Sequence, residues 1–250
     1  MVLSCEIARN IPFFLTSSLI SLIINQGLLS DMNKAILDAF NETPYFTVQA
    51  IQQLAEPDAL VPGSVQTALY RWMKNGTIIQ LKKGMYMTRP YFESHRKDAD
   101  FTAAVSGLIL SQSYLSMDSV FRREKIARTP ENVITCITSG NTRTIQNPIG
   151  IFQYRHVKPE LFNHFALKPY QGLLAAVASL PKALFDYFYF TRFSTNTAGA
   201  VREAILGLSD VDLKAVPKTA RKEFFNLVYA DGGLKMNLAA NALRSSVWRT

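Results

Sequence analysis

Apolar positions recur at helical spacing through the first third of the chain. They lie three and four residues apart in Asn33–Asn41, which predicts a first helix there. Thr47 is placed to cap a second helix, and the stripe that this helix is expected to bury is Val48, Ile51 and Leu54.

A third helix is predicted from Val65 to Asn75, with Ser64 placed as its cap. Its apolar face is expected to pack inward and consists of Val65, Ala68, Leu69 and Trp72. The opposite face carries hydrogen-bond donors and cations, the side-chain types that contact base edges and phosphates. The residues of this face are Gln66, Thr67, Tyr70, Arg71 and Lys74.

Two short runs typical of β-strands, Thr77–Leu81 and Met85–Thr88, follow the third helix. They flank the turn Lys82-Lys83-Gly84, so a hairpin with two lysines at its tip is predicted. This order of elements predicts a winged helix-turn-helix over residues 32–92 that binds double-stranded DNA. A protein-interaction adaptor is the alternative. The candidate DNA-binding residues are Ser64, Gln66, Thr67, Tyr70, Arg71, Lys74, Lys82 and Lys83.

Residues 93–250 predict a larger α+β domain, which follows a polar linker at His95–Asp100. A small antiparallel sheet is expected from strands at Val133–Thr138, Thr142–Gln146 and Ile151–Val157. A further apolar segment follows at Leu173–Ala178. The predicted helices are Phe101–Leu110, Met117–Ala127 capped by Ser116, Leu180–Phe190 capped by Ser179, Ala198–Leu206, Thr219–Tyr229 and Leu234–Trp248.

Two features of the Leu180–Phe190 helix lead to specific expectations. Lys182 and Asp186 lie four residues apart, which predicts an exposed ion pair of about 0.3–0.5 kcal/mol. Aromatic residues from Phe185 to Phe190 surround the helix on nearly every side, which predicts that it is buried.

The formal charge of +8 suits a polyanionic partner, but the charge is unevenly distributed. Residues 32–92 carry six Lys/Arg against four Asp/Glu, while residues 93–250 carry twenty against thirteen. Phosphate contacts dominate affinity for DNA, so one winged helix with this small charge surplus is expected to bind weakly as a monomer. A homodimer on DNA is therefore expected. The basic second part is expected either to add phosphate contacts or to meet an acidic surface on a partner.

Residues 1–31 are interpreted as an N-terminal extension, with translation expected to start at Met32. Their apolar run, Ile11–Ile24, is shorter than the ~20 residues of a membrane span. A secretion signal and a short helix packed on the body remain the alternatives. Cys5 and Cys136 form no disulfide framework, which favours the cytoplasm, and no membrane partner is expected.

The chain is not expected to be an enzyme. It contains no P-loop, no G-x-S-x-G elbow, no H-E-x-x-H and no paired carboxylates on one predicted face. A hairpin turn explains Ser139-Gly140-Asn141. His156 and His164 have no evident third ligand, so no metal and no cofactor are expected.

The segment Ala178–Asp186, continuing to Tyr189, resembles a signature of the AbiEi-like antitoxins of type IV toxin–antitoxin (abortive infection) systems. That signature is a small-Thr/Ser, Pro, Glu-Lys-Ala, Leu-x-Asp stretch ending in Tyr. The chain departs from it because Leu180 or Pro181 stands where the family has Glu. Other stretches similar to the family are Gly76, Gly84-Met85-Tyr86, Tyr114–Ser119, Asn147-Pro148 and Phe152–His156.

The resemblance implies a DNA-binding transcriptional autorepressor that is also an antitoxin. Its first domain would bind repeats in the promoter of its own operon and repress it. Its second domain would oppose a cognate toxin of the nucleotidyltransferase type that is encoded alongside. A stand-alone transcription regulator, whose second domain senses a ligand or dimerises, remains the alternative.

Overall fold

The computed structural model describes residues 34–35, 37–54, 64–194, 197–231 and 233–249. The architecture is mixed α+β, with one three-stranded and one six-stranded sheet. The interpretations of residues 1–31 lie outside the described residues.

Backbone contacts divide the chain into two units. The first unit contains the described residues up to Ile78 together with Gly84–Tyr91. The second unit contains Ile79–Lys83 and the chain from Phe92 onward. A short strand within the first third of the sequence therefore clusters with the second unit.

The chain up to residue 95 contains the helices and strands predicted for its first third. Residues 34–35 and 37–39 are helical. The elements that follow are strand β1 (Phe46–Thr47), helix α1 (Val48–Leu54), helix α2 (Ser64–Lys74), strand β2 (Ile78–Lys82), strand β3 (Met85–Thr88) and helix α3 (Arg89–His95). The strand order in the sheet is β1-β3-β2. Strand β1 and helix α3 were not predicted, since two extended residues and one helical segment beginning Arg-Pro carry no clear period.

Aromatic side chains form the centre of the first unit. Phe46 stacks on Phe40 with ring centroids 4.5 Å apart, and it also stacks on Tyr86 at 5.8 Å. Thr47 caps α1 as predicted, because its hydroxyl accepts a hydrogen bond from the amide of Ala50 at 3.3 Å. The expectation that Leu54 is buried is wrong, since 52% of it is exposed at the last residue of α1.

The second unit contains the six-stranded sheet and the C-terminal helices. Its elements after α3 are α4 (Phe101–Ile109), β4 (Ser113–Leu115), α5 (Asp118–Arg123), β5 (Val133–Thr138), β6 (Arg143–Asn147), β7 (Gly150–His156), a 3₁₀ turn (Pro159–Leu161), β8 (Phe165–Tyr170), β9 (Leu173–Ala178), α6 (Leu180–Phe190), α7 (Ala198–Leu206), a 3₁₀ turn (Leu213–Ala215), α8 (Lys218–Asp231) and α9 (Leu234–Ser245).

The prediction of a small antiparallel sheet is wrong, because the sheet has six strands and is mixed. The strand order is β6-β7-β5-β4-β9-β8, with β5 parallel to β7 and β4 parallel to β9. Strand β4 escaped prediction because it is only three residues long. Strand β8 lies at the sheet edge with its middle four residues exposed and contains Pro169, so it shows no apolar alternation.

The predicted cap of helix α5 is also wrong. The helix starts at Asp118 with Met117 as its N-cap, at a φ of 50°. Ser116 is fully buried, and its hydroxyl donates to Asp186 instead of capping. The helix ends at Arg123, well before the predicted Ala127, because Lys125 takes a positive φ of 59°.

The C-terminal helices pack on one another, with α6 against α8 and α9 against α7. Helix α6 has the predicted bounds, and the Ser179 hydroxyl accepts from the amide of Lys182 as expected of a cap. The prediction that this aromatic helix is buried is confirmed, since Phe185 and Phe188 lie in the core.

Candidate functional site

Helix α2 has its rotation fixed by a buried apolar stripe. Val65, Leu69 and Trp72 are at most 7% exposed and belong to the core cluster that includes Phe46 and Tyr86. Burying large side chains on one face forces the opposite face into solvent. The inward set predicted from the sequence is confirmed, with Ala68 partly buried beside it.

The exposed face of α2 carries the polar residues predicted for it. Gln66, Thr67, Arg71 and Lys74 are exposed, and Tyr70 is 61% exposed. Ser64 is the first residue of the helix. The face thus presents amide, hydroxyl, guanidinium and ammonium groups along one helix side, which is donor-rich and cationic. Such groups match the acceptors of guanine and adenine edges and of phosphates.

The end of α2 is fixed by a glycine in the left-handed region. Gly76 has a φ of 76°, and the amide of Thr77 donates to the carbonyl of Trp72 at 2.9 Å. Arg89 also donates through Nε to the carbonyl of Gly76 at 3.1 Å. These bonds satisfy carbonyls that a helix end otherwise leaves open, so the last turn with Arg71 and Lys74 is held in place.

The two hairpin lysines have different environments. Lys82 is the last residue of β2 and is half-buried, and its ammonium donates to the carbonyls of Leu108 and Ile109 at 2.8 and 3.1 Å. Those carbonyls end helix α4, where a cation complements the helix dipole. Lys83 is exposed in the turn beside Gly84, whose φ is 78°. Lys83 is therefore the lysine of the two with an ammonium available to a partner.

A buried ion pair lies in helix α6. The Lys182 ammonium is 2.8 Å from Asp186 Oδ1, and the two side chains are 1% and 0% exposed. The predicted pairing is confirmed, but the predicted exposure is wrong. Helical spacing shows which side chains meet and does not show that a distant loop covers them. Here the carbonyl of Leu161, 21 residues earlier, accepts a hydrogen bond from Lys182 at 2.7 Å.

The second oxygen of Asp186 accepts two hydrogen bonds. Its Oδ2 accepts from Ser116 Oγ at 2.7 Å and from the Tyr114 hydroxyl at 3.1 Å. Burial raises the pKa of Asp186, while the ammonium and the two hydroxyls act in the opposite direction. Burial and the neighbouring carboxylate likewise raise the pKa of Tyr114, so its hydroxyl stays a donor.

Two segments that were singled out in the sequence meet at this cluster. Tyr114 and Ser116 belong to the stretch Tyr114–Ser119, and Lys182 and Asp186 belong to the stretch Ala178–Asp186. These residues are thus tied to one another inside the core. Their arrangement fits a role in holding strand β4, the loop near Leu161 and α6 together.

A further set of charged groups lies around α5 and was not singled out from the sequence. Burial raises the pKa of Asp118, an effect that Arg122 and Arg155 oppose and Asp210 increases. Burial, together with the carboxylates of Asp118 and Asp210, raises the pKa of Tyr187 to about 12. The Arg122 guanidinium donates to the carbonyl of Val133 at 2.6 Å, which joins α5 to the sheet.

The described part of the chain contains neither a metal-binding cluster nor a membrane-spanning helix. Within it, no group of three or more His, Cys, Asp or Glu residues could hold a metal ion. No described helix has the length and apolar character needed to span a bilayer. His156 is exposed, and its Nδ1 donates to the carbonyl of Gly140 at 2.8 Å.

Comparison with known proteins gives no match, either to a protein-family model or to a curated protein.

Proposed function

We propose that residues 32–92 form a winged helix-turn-helix and that α2 is its DNA-recognition helix. One observation carries this proposal. A helix fixed by buried Val65, Leu69 and Trp72 presents an uninterrupted polar and cationic face, and a hairpin follows it directly. Tyr70, in the middle of that face, is 61% exposed. A tyrosine ring buries a large apolar area when it contacts a partner, which favours an interface at this position.

The side chains of α2 divide by chemistry into two roles. Gln66, Thr67, Tyr70 and Arg71 contact base edges in the major groove, since amides and guanidinium groups pair with purine acceptors. Ser64 and Lys74 lie at the two ends of the helix and contact phosphates.

The hairpin contributes a phosphate contact through Lys83, which is exposed at the turn. Lys82 is assigned a packing role instead, because two carbonyls already accept hydrogen bonds from its ammonium.

Binding is tested by fluorescence anisotropy with a duplex from the promoter of the chain's own gene, at several salt concentrations. Lys74→Ala is expected to weaken binding to all duplexes and to reduce the salt slope by about 1. Arg71→Ala is expected to cost about 1–3 kcal/mol and to relax the sequence preference.

Arg202→Ala is the matched control, since it removes an exposed arginine from a helix of the second unit. It is expected to bind as the parent protein does. If Arg71→Ala and Lys74→Ala also bind unchanged at physiological salt, α2 is not the recognition helix.

We further propose that the chain is an autorepressor and antitoxin of a type IV system, with the second unit opposing a nucleotidyltransferase toxin. The likeness to AbiEi-like antitoxins supports this, as does the meeting of two of its segments in one hydrogen-bonded cluster. A homodimer on DNA, visible as two chains per duplex in analytical ultracentrifugation, fits the small charge surplus of residues 32–92.

The antitoxin proposal is tested by co-expression with a nucleotidyltransferase encoded next to the gene. The double variant Arg71→Ala/Lys74→Ala is expected to lose promoter repression and to keep growth rescue. Absence of such a neighbouring gene, or loss of both activities in this folded variant, contradicts the proposed division of labour.

A further inference from the structure

The second unit contains a cavity of about 380 Å³ between the loop after β7 and helices α6 and α8. This volume lies within the range of roughly 300–1,000 Å³ that is usual for small-molecule sites. Exposed Lys158, Glu160 and His164 line it from the loop, while partly or fully buried Phe185 and Tyr189 line it from α6.

The loop is held in place by hydrogen bonds and by ring packing. The carbonyl of Leu161 accepts from the buried Lys182 ammonium at 2.7 Å. The ring of Phe162 packs 5.2 Å from both Tyr114 and Phe165. The carbonyl of Glu160 accepts from Asn163 at 2.7 Å. A loop fixed in this way loses little entropy when a ligand binds, so the cavity is preorganised.

The inner wall of the cavity is aromatic and aliphatic. Phe185 is only 2% exposed, carries the Lys182 ammonium 4.9 Å from its ring centroid and stacks on Tyr189 with centroids 6.2 Å apart. The partly buried Tyr189 is therefore the ring of the two that a ligand can reach. Leu227 of α8 adds an aliphatic surface. Aromatic and aliphatic walls favour an aromatic side chain through burial and ring contacts.

The polar lining carries both signs of charge. Lys158 provides an ammonium and Glu160 a carboxylate, and His164 adds an imidazole. The charge of Lys182 is already compensated by Asp186. Such a wall gives no net attraction to a polyanion, whereas a ligand with one carboxylate and one ammonium can pair with both exposed groups.

We propose that this cavity binds a free amino acid with a large aromatic side chain. The ring lies against Tyr189 and Leu227, the carboxylate pairs with Lys158 and His164, and the ammonium pairs with Glu160. The proposal concerns the second unit alone and does not depend on DNA binding.

Isothermal titration calorimetry of the full chain tests the ligand class with three probes. L-Tryptophan is expected to bind best. 3-Indolepropionate lacks the ammonium and tryptamine lacks the carboxylate, so each is expected to bind about tenfold more weakly, the loss of one charged hydrogen bond. No binding of L-tryptophan, or equal binding of all three, overturns the proposal.

Two variants test the assignment of the groups. Glu160→Gln is expected to weaken L-tryptophan about tenfold and to leave 3-indolepropionate unchanged. Lys158→Met is expected to weaken L-tryptophan similarly and to leave tryptamine unchanged. Lys168→Met, at an exposed position of β8, is the control and should bind as the parent does. If Glu160→Gln and Lys158→Met match the control, the probe binds elsewhere and the assignment is wrong.

Discussion

At the scale of single residues, the ion pair of Lys182 and Asp186 is the interaction most dependent on its surroundings. The groups that hydrogen-bond to the pair all lie outside α6. Tyr114 of strand β4 and Ser116 donate to Asp186, and the carbonyl of Leu161 accepts from Lys182. Removing two charges from water costs several kcal/mol per ion, and only complete hydrogen bonding offsets that cost. We therefore expect the pair to contribute more to the specificity of the fold than to its stability.

Asp186→Asn is expected to lower the free energy of unfolding by about 3–5 kcal/mol, because it leaves the Lys182 ammonium buried without a counter-charge. Urea unfolding measures this. Lys182→Met/Asp186→Leu should recover much of the loss, since no charge then stays buried. Arg96→Gln removes one partner of a roughly half-exposed pair with Glu93 and is the control, expected to cost under about 1 kcal/mol. A cost for Asp186→Asn no larger than the control's contradicts the account.

Asp118 offers a test that depends on pH. Its pKa is raised in the folded chain, so the ionised carboxylate destabilises the fold. This penalty is complete above the folded pKa and disappears as pH falls through it toward the ordinary value near ~3.9. Asp118→Asn should therefore raise the Tm at pH 7, by an amount that shrinks as the pH approaches about 4. Calorimetry at both pH values measures it, and a lower Tm at pH 7 would show that attraction to Arg122 and Arg155 dominates.

At the scale of elements, the turn into β7 depends on the absence of a side chain at Gly150. A Cβ there would lie 2.5 Å from Ile134 Cδ1 and 2.7 Å from the carbonyl oxygen of Asn132. That oxygen cannot retreat easily, because it accepts from the amide of Ile151 at 2.7 Å. The close approach places β7 beside β5 in parallel register.

Gly150→Ala is expected to destabilise the chain by about 1–3 kcal/mol, the usual cost of overpacking. Gly199→Ala is its counterpart, because a Cβ at Gly199 in α7 meets nothing within 4 Å. Alanine there should stabilise by up to about 1 kcal/mol, since it favours the helix. Urea unfolding of both variants compares them, and equal effects would contradict the role given to Gly150.

Elements with a cap and a clear period could be predicted from the sequence, and those defined by distant partners could not. Helix α6 has the predicted bounds because Ser179 and Pro181 mark its start locally. Strand β8 has no such signal, since its pairing with β9 leaves its own residues exposed. The exposed face of α2 was predictable from its period, whereas the different environments of Lys82 and Lys83 depend on the end of α4.

At the scale of the whole molecule, the second unit includes Ile79–Lys83, which lie in the sequence between two stretches of the first unit. The carbonyl of Leu81 accepts from the Asn147 amide at 3.1 Å, and Lys82 bonds the end of α4. These groups lose their partners in a fragment that starts at residue 93.

The fragment 93–250 is therefore expected to be less stable than the second unit within the full chain. The chain has two tryptophans, and the buried Trp248 reports on the second unit alone once Trp72→Phe is introduced. Urea unfolding followed by Trp248 fluorescence compares the two. Coincident curves would show that residues 79–83 contribute nothing to the second unit.

The insertion of residues 79–83 also limits how this chain can be rearranged by recombination. Two domains that meet in one exposed linker can be exchanged through a single junction. Here a single junction near residue 92 would separate the second unit from residues 79–83. A segment from another protein that replaced the first 92 residues would have to contain a strand that fits the second unit in the same way. The two units are therefore expected to be inherited together.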